Sequence, residues 1–160
     1  MRYLTLSIAL SAACLAMPVA AQSYTPERML EGVKLDDLKA IVASFEDEVI
    51  SEGMAGETSL AARSADGTVY LLLGTACGDA ALGCQGVNMQ VRFDAEAIDR
   101  EKVNQANMAE QALNTWFDAN TNTLGFSRYV VLDHGITMAN LRENVVVLLA
   151  IAPSAADDFR

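Results

Sequence analysis

Between residues 59 and 93 the hydrophobic pattern of this chain is that of β-strands, which constrains the fold more than any other feature. Ser59–Arg63 and the run 68–74 flank Ser64-Ala65-Asp66-Gly67, and an Asp-Gly pair between two such runs is the chemistry of a hairpin turn. Val69-Tyr70-Leu71-Leu72-Leu73 is almost continuously apolar, as expected of a central strand. After the next connection Val87, Met89, Val91 and Phe93 alternate with Asn88, Gln90 and Arg92, the pattern of a half-buried strand. The apolar side of such a sheet needs a covering layer, and the flanking segments supply helices.

Upstream, Thr25-Pro26-Glu27 predicts a helix start, with Thr25 as N-cap and Pro26 at the first helical position. Gly32 interrupts that piece. A second helix over 35–45 places Leu35, Leu38, Ile41, Val42 and Phe45 on one face, with Asp36 and Asp37 in its first turn where they suit the helix dipole. Glu46-Asp47-Glu48 with Glu52 reads as a solvated helix end, and 52–58 as loop. Downstream, Asp99 caps a helix over 100–112, and Trp116 and Phe117 fall in a short strand. Asn120-Thr121-Asn122-Thr123 is a turn and 126–132 a β-branched and aromatic strand. Thr137 caps a last helix through Ala152, which Pro153 ends or kinks before a final turn reaching Phe159. Its run 145–151 is apolar on more than one face, too short for a bilayer, and therefore buried under the sheet or partly against another chain. The order α-βββ-α-ββ-α predicts an α+β fold: an antiparallel sheet of about five strands with helices packed on one side.

The first 21 residues read as a signal peptide: Arg2, an apolar stretch from Tyr3 to Met17, then Val19-Ala20-Ala21, with cleavage between Ala21 and Gln22. Roughly 15 apolar residues fall short of the ~20 needed to span a membrane, so no stable insertion is expected after cleavage. Ser11-Ala12-Ala13-Cys14 ends like a lipobox, but Ser11 replaces the aliphatic residue and the following segment is apolar, so lipidation of Cys14 is not expected. A single domain over 22–160, periplasmic or secreted, remains. There Cys77 and Cys84 are the only cysteines, and in an oxidising compartment they predict a structural disulfide. A metal site would need more ligands than these and the distant His134. A redox pair would need the C-x-x-C spacing, which is absent.

The formal net charge is −10, and becomes −11 once Arg2 leaves with the signal. Such a balance argues against nucleic acid and anionic membrane surfaces, and favours solubility or a cationic partner. Chemistry-bearing groups are few. His134 beside Asp133, with Ser127 and Thr137 nearby, lies at a strand-to-helix turn and has no nucleophile elbow, so a structural role is expected. Asp118, Asn120 and Asn122 imitate part of a calcium loop without its glycine and terminal glutamate. Asn104 and Asn107, one helical turn apart, are expected to tie their helix to a neighbouring loop. No catalytic residue, metal site or cofactor is expected.

V-N-Q-A-N at 103–107, N-T-W-F-D at 114–118, L-G-F-S-R-Y-V-V-L-D at 124–133 and H-G-I-T-M-A-N-L at 134–141 together resemble the YbjN family. These are bacterial proteins labelled sensory transduction regulators, whose domain looks like a type III secretion chaperone. The matching positions are Asn104 and Asn107, then Leu132, Asp133, His134 and Gly135, then Thr137, Asn140 and Leu141. The resemblance also matches Cys77 and Cys84 to a cysteine pair in secreted relatives. Ala106 and Ala112 depart from it, standing where aromatic residues are usual; Trp116 and Phe117 can refill that volume. The resemblance implies the same element order and brings no catalytic residue. The expected function is a non-enzymatic, chaperone-like or regulatory interaction module of unknown protein partner, with homodimerisation the simplest use of the apolar last helix. The alternative is a small-molecule or envelope-stress sensor binding a ligand on the sheet face.

Overall fold

The computed structural model describes residues 23–78 and 83–160. The predicted signal peptide, its Ala21–Gln22 cleavage site and Cys14 lie outside the described residues. The elements are β1 (Met29–Leu30), α1 (Leu35–Ala43), β2 (Glu48–Glu52), β3 (Ser59–Arg63), β4 (Val69–Cys77), β5 (Cys84–Asp94), α2 (Arg100–Ala109), β6 (Asn114–Asp118), β7 (Thr123–Val131), β8 (Ile136–Thr137) and α3 (Met138–Asp157). The fold is α+β. Its main sheet has six antiparallel strands in the order β2-β3-β4-β5-β7-β6, one more than expected, and β1 pairs with β8 in a separate two-stranded ribbon.

Strand alternation decides which side is dry. Register pairs Leu60 with Leu72, Leu72 with Met89, Tyr70 with Val91, and Val91 with Phe126 on one face, and all six are buried. Leu38 and Ile41 of α1, and Leu141, Val145 and Leu148 of α3, belong to the same buried cluster. Fully burying each such side chain is worth about 1.5–3 kcal/mol. Val145 and Leu148 are fully buried, Val146, Val147, Leu149 and Ile151 are half-buried, and a shallow groove joins Val146 and Leu149 to Phe45.

Four expectations need correction. Thr25-Pro26-Glu27 does not start a helix; Thr25 O accepts from Arg28 N at 3.0 Å in a turn leading into β1. Its carbonyls serve α3 instead: Met138 N donates to Arg28 O (2.9 Å) and Ala139 N to Pro26 O (3.0 Å), satisfying donors that a helix start leaves free. The acidic stretch at 46–52 is not a helix end, because Glu48–Glu52 forms an edge strand against β3 with an irregularity between Val49 and Ser51. Helix α2 stops at Ala109, and Glu110 Oε1 accepts from Ala112 N (3.0 Å) in the turn that follows. Finally, α3 runs through Pro153 to Asp157. The lost N–H removes one bond, and the buried stripe Met138, Leu141, Val145, Leu148, Ala152 and Ala156 holds both sides of the proline to the core.

The Cys77–Cys84 disulfide is present and joins the last residue of β4 to the first of β5. Buried Cys84 also exchanges two backbone bonds with Val33 (2.9 and 2.8 Å), which ties this corner to the start of α1. No helix among the described residues is long and apolar enough to cross a membrane.

Candidate functional site

The second face of the sheet carries the other set of alternating residues, and among the described residues no helix packs over it. Its middle is formed by Leu71 and Leu73 of β4, Asn88 and Gln90 of β5, and Ser127 and Tyr129 of β7. Val69, Tyr129 and Val131 are 41%, 54% and 52% exposed, large apolar exposures for strand residues. Two aromatic rings lie flat on this surface because the opposing strand has no side chain beneath them. A Cβ on Gly125 would overlap the indole of Trp116, and one on Gly86 would overlap the phenol of Tyr129. Thr75 Oγ1 donates to the Tyr129 hydroxyl at 3.2 Å, holding the ring down.

Polar groups on this face are mostly amides. Arg92 Nε and Nη2 donate to Gln90 Oε1 (3.0 and 2.7 Å), and the guanidinium stands 5.7 Å from the Trp116 ring centroid. Asn88 Oδ1 is a buried acceptor with no hydrogen-bond partner. Among the described residues the carboxylates on this face lie at the rim: Glu48, bonded to Arg63 (2.9 Å), and Asp94 and Asp118 at one end.

Both outer strands carry features that hinder the addition of a further strand. On β6, Asn107 of α2 donates to Thr115 O (3.0 Å) and accepts from Thr115 N (2.7 Å), so a side-chain amide takes the place of a further strand. On β2 the irregular register and the ion pairs Glu48–Arg63 and Glu52–Lys39 (2.8 Å) do the same work less directly.

The residues singled out in the sequence take structural places. His134 and Gly135 adopt positive φ (65° and 85°) in the turn after β7, where Gly135 N donates to Leu132 O (2.9 Å). Thr137 Oγ1 accepts from Asn140 N (3.1 Å) as the α3 cap, and Ser127 Oγ donates to Asn114 O (3.4 Å) on the open face. None of these hydrogen bonds joins His134 to a hydroxyl. Asp118 accepts from Asn120 N (2.9 Å) and Thr121 Oγ1 (3.0 Å), and these bonds hold its carboxyl below the usual range. It closes a turn, and no metal-binding group of His, Cys, Asp or Glu occurs among the described residues. Asn107 ties α2 to strand β6, not to a loop, while Asn104 is exposed beside a small cavity with Val103 and Phe117. Sequence reasoning did not single out Trp116, Tyr129 and Asn88 as a surface. The glycines at positions 86 and 125 were the available signal.

A larger cavity of about 450 Å³ lies at one end of the sheet, between Phe93, Ile98, Leu124 and Phe159. A second, of about 500 Å³, lies beside the disulfide. Comparison with curated proteins and with solved structures gives no match. Residues 31–160 match the YbjN family, described as "putative bacterial sensory transduction regulator". The match spans most of the chain and the whole six-stranded sheet: the protein belongs to the YbjN family.

Proposed function

We propose that this protein is a non-enzymatic interaction module, chaperone-like or regulatory, that works in the periplasm or another part of the bacterial envelope. The observation that carries the reading is the open sheet face, a broad surface of aliphatic side chains, flat aromatic rings and amides. Monomeric proteins rarely leave a contiguous patch of this kind without a binding role. The family's regulatory description supports the same reading. The residues at 1–21 and the cysteine pair support the envelope location, since disulfides persist where the compartment is oxidising.

Affinity capture from envelope extract, with the wild type and Tyr129→Asp in parallel, tests it. A partner retained by the wild type and lost by the variant is the expected result. Equal retention by both, or recovery of the protein only from the cytoplasm, would overturn the reading. A melting temperature raised by a small molecule, and lowered again in Tyr129→Asp, would instead favour the sensor alternative.

A further inference from the structure

Two aromatic rings are built into the open face at fixed places. The Trp116 indole lies over Gly125 of β7, and the tip of the Tyr129 phenol lies over Gly86 of β5. Gly86 pairs with Val131, six residues beyond Gly125 on β7, so the rings stand roughly 15–20 Å apart along the strands at the usual rise per residue. The track between them carries Gln90, Asn114, Ser127 and, beside Tyr129, Asn88. Amides and hydroxyls offer both donors and acceptors, and Arg92 fixes Gln90 through two bonds of 3.0 and 2.7 Å.

Charge decides what kind of ligand suits this track. A net charge of −10 repels polyanions such as nucleic acid or an anionic membrane. A basic segment would meet Arg92, which makes no ion pair among the described residues. Among those residues no carboxylate stands between the two rings. A neutral ligand, flat and apolar on one side and hydroxylated at its edges, matches both the rings and the track. A β-linked pyranose chain has that form. Its ring C–H groups are weakly positive and suit the negative face of an aromatic ring, while neighbouring hydroxyls pair with amides.

We propose that the open face binds a neutral β-linked glycan chain, which runs from Trp116 to Tyr129 along β5 and β7. The glycine seats fix both rings before the ligand arrives, so little ordering remains to be done on binding. The glycan is held and not cut. Cleavage requires two carboxylates flanking a glycosidic bond, and Asp94 and Asp118 both lie past the Trp116 end of the track. The inference rests on the open face being an interaction surface, and it gives the chemistry of what is held there.

Trp116 is the only tryptophan, so its emission, titrated with cellohexaose and with chitohexaose, is the first test. A saturating shift with a midpoint below about 1 mM is expected for at least one of them, unchanged by added salt because no charges pair. By calorimetry, Trp116→Ala and Tyr129→Ala should each weaken binding about tenfold through loss of a stacked ring, and Tyr129→Phe, which keeps its ring, less than about twofold. Met108→Ala, at a 79% exposed site on α2, should change nothing. Circular dichroism melts confirm that the variants fold. Co-sedimentation with insoluble cellulose, chitin or peptidoglycan then shows which glycan backbone is held. Equal affinity in the wild type, Trp116→Ala and Tyr129→Ala overturns the proposal. No response to any of these glycans, with a protein retained from envelope extract by the wild type and lost by Tyr129→Asp, overturns the glycan and leaves the interaction reading standing. No response and no retained protein overturns both.

Discussion

Replacing Asn107 by alanine should cost far more stability than its position on a solvent-facing helix suggests. Helix α2 has no buried residue, and an ordinary surface substitution there would change stability by about 0.5 kcal/mol or less. Asn107, however, makes both hydrogen bonds that the outer edge of β6 offers at Thr115, at 3.0 and 2.7 Å. Thr115 is only 4% exposed, so water replaces the lost partners poorly. Each bond contributes about 1 kcal/mol net, and two poorly solvated backbone groups add to that, giving about 2–3 kcal/mol in all. The third bond, to Val103 O at 3.1 Å, adds little, since that carbonyl can still accept within the helix. With a urea slope of about 2 kcal/mol per molar for a domain of this size, the unfolding midpoint should fall by about 1–1.5 M at unchanged slope. Asn107→Asp keeps an acceptor for Thr115 N but sets a carboxylate against Thr115 O, so it should lose at least half as much. Asn104→Ala, exposed one turn away, serves as the comparison. Equal midpoints for Asn107→Ala and Asn104→Ala would refute the idea that this amide closes the sheet edge.

Other substitutions probe separate parts of the fold. Reducing the Cys77–Cys84 bridge, or Cys84→Ser, should cost about 2–3 kcal/mol through restored chain entropy, read as a lower melting temperature that reductant no longer changes in the variant. Gly125→Ala should push the indole of Trp116 off the sheet and cost about 1–3 kcal/mol. Trp116 is the only tryptophan, so a red-shifted emission reports the displacement directly, and an unshifted spectrum would count against the packing described. Tyr70 is buried and donates to Asp47 at 2.8 Å; burial first, then that bond, raises its pKa above the ordinary 10.0. The native state therefore keeps a proton that the unfolded chain releases above pH 10. Stability from this group is complete below that pH and declines as pH rises beyond it. Tyr70→Phe should lower the neutral-pH stability by about 1–2 kcal/mol and flatten the alkaline decline, measured as urea midpoints from pH 8 to about pH 11.

The strand runs at 59–63, 69–73 and 87–93, the α1 stripe from Leu38 to Val42, and the Thr137 cap were legible because local pattern and final environment agree. So was the disulfide, which pairs the two ends of one short connection. Edge strand β2 was not legible: Glu-Val-Ile-Ser-Glu carries the charges that protect a sheet edge, and those same charges make it read as loop or helix end. Nor was the role of residues 26–28, since Thr25 and Pro26 mimic a helix start locally while the carbonyls of Pro26 and Arg28 meet α3 more than a hundred residues away. Seven apolar residues at 145–151 predicted burial, under the sheet or partly against another chain. In the fold Val145 and Leu148 lie in the core, while Val146 and Leu149 stay half-buried on other sides of the same helix.

Sequence alone determined the α+β class, the order of most elements, the family and the cysteine pair, because each depends on residues close together in the chain or on their collinear order. Tertiary structure decided which strand face lies against helices and which stays open. Alternation assigns residues to two faces but cannot say which partner covers each. It also turned Gly86 and Gly125 from apparent weak points into seats for Tyr129 and Trp116, since a missing side chain acquires meaning only from what packs above it. The open face, on which the proposed function rests, is therefore a product of how the strands pair and where the helices settle.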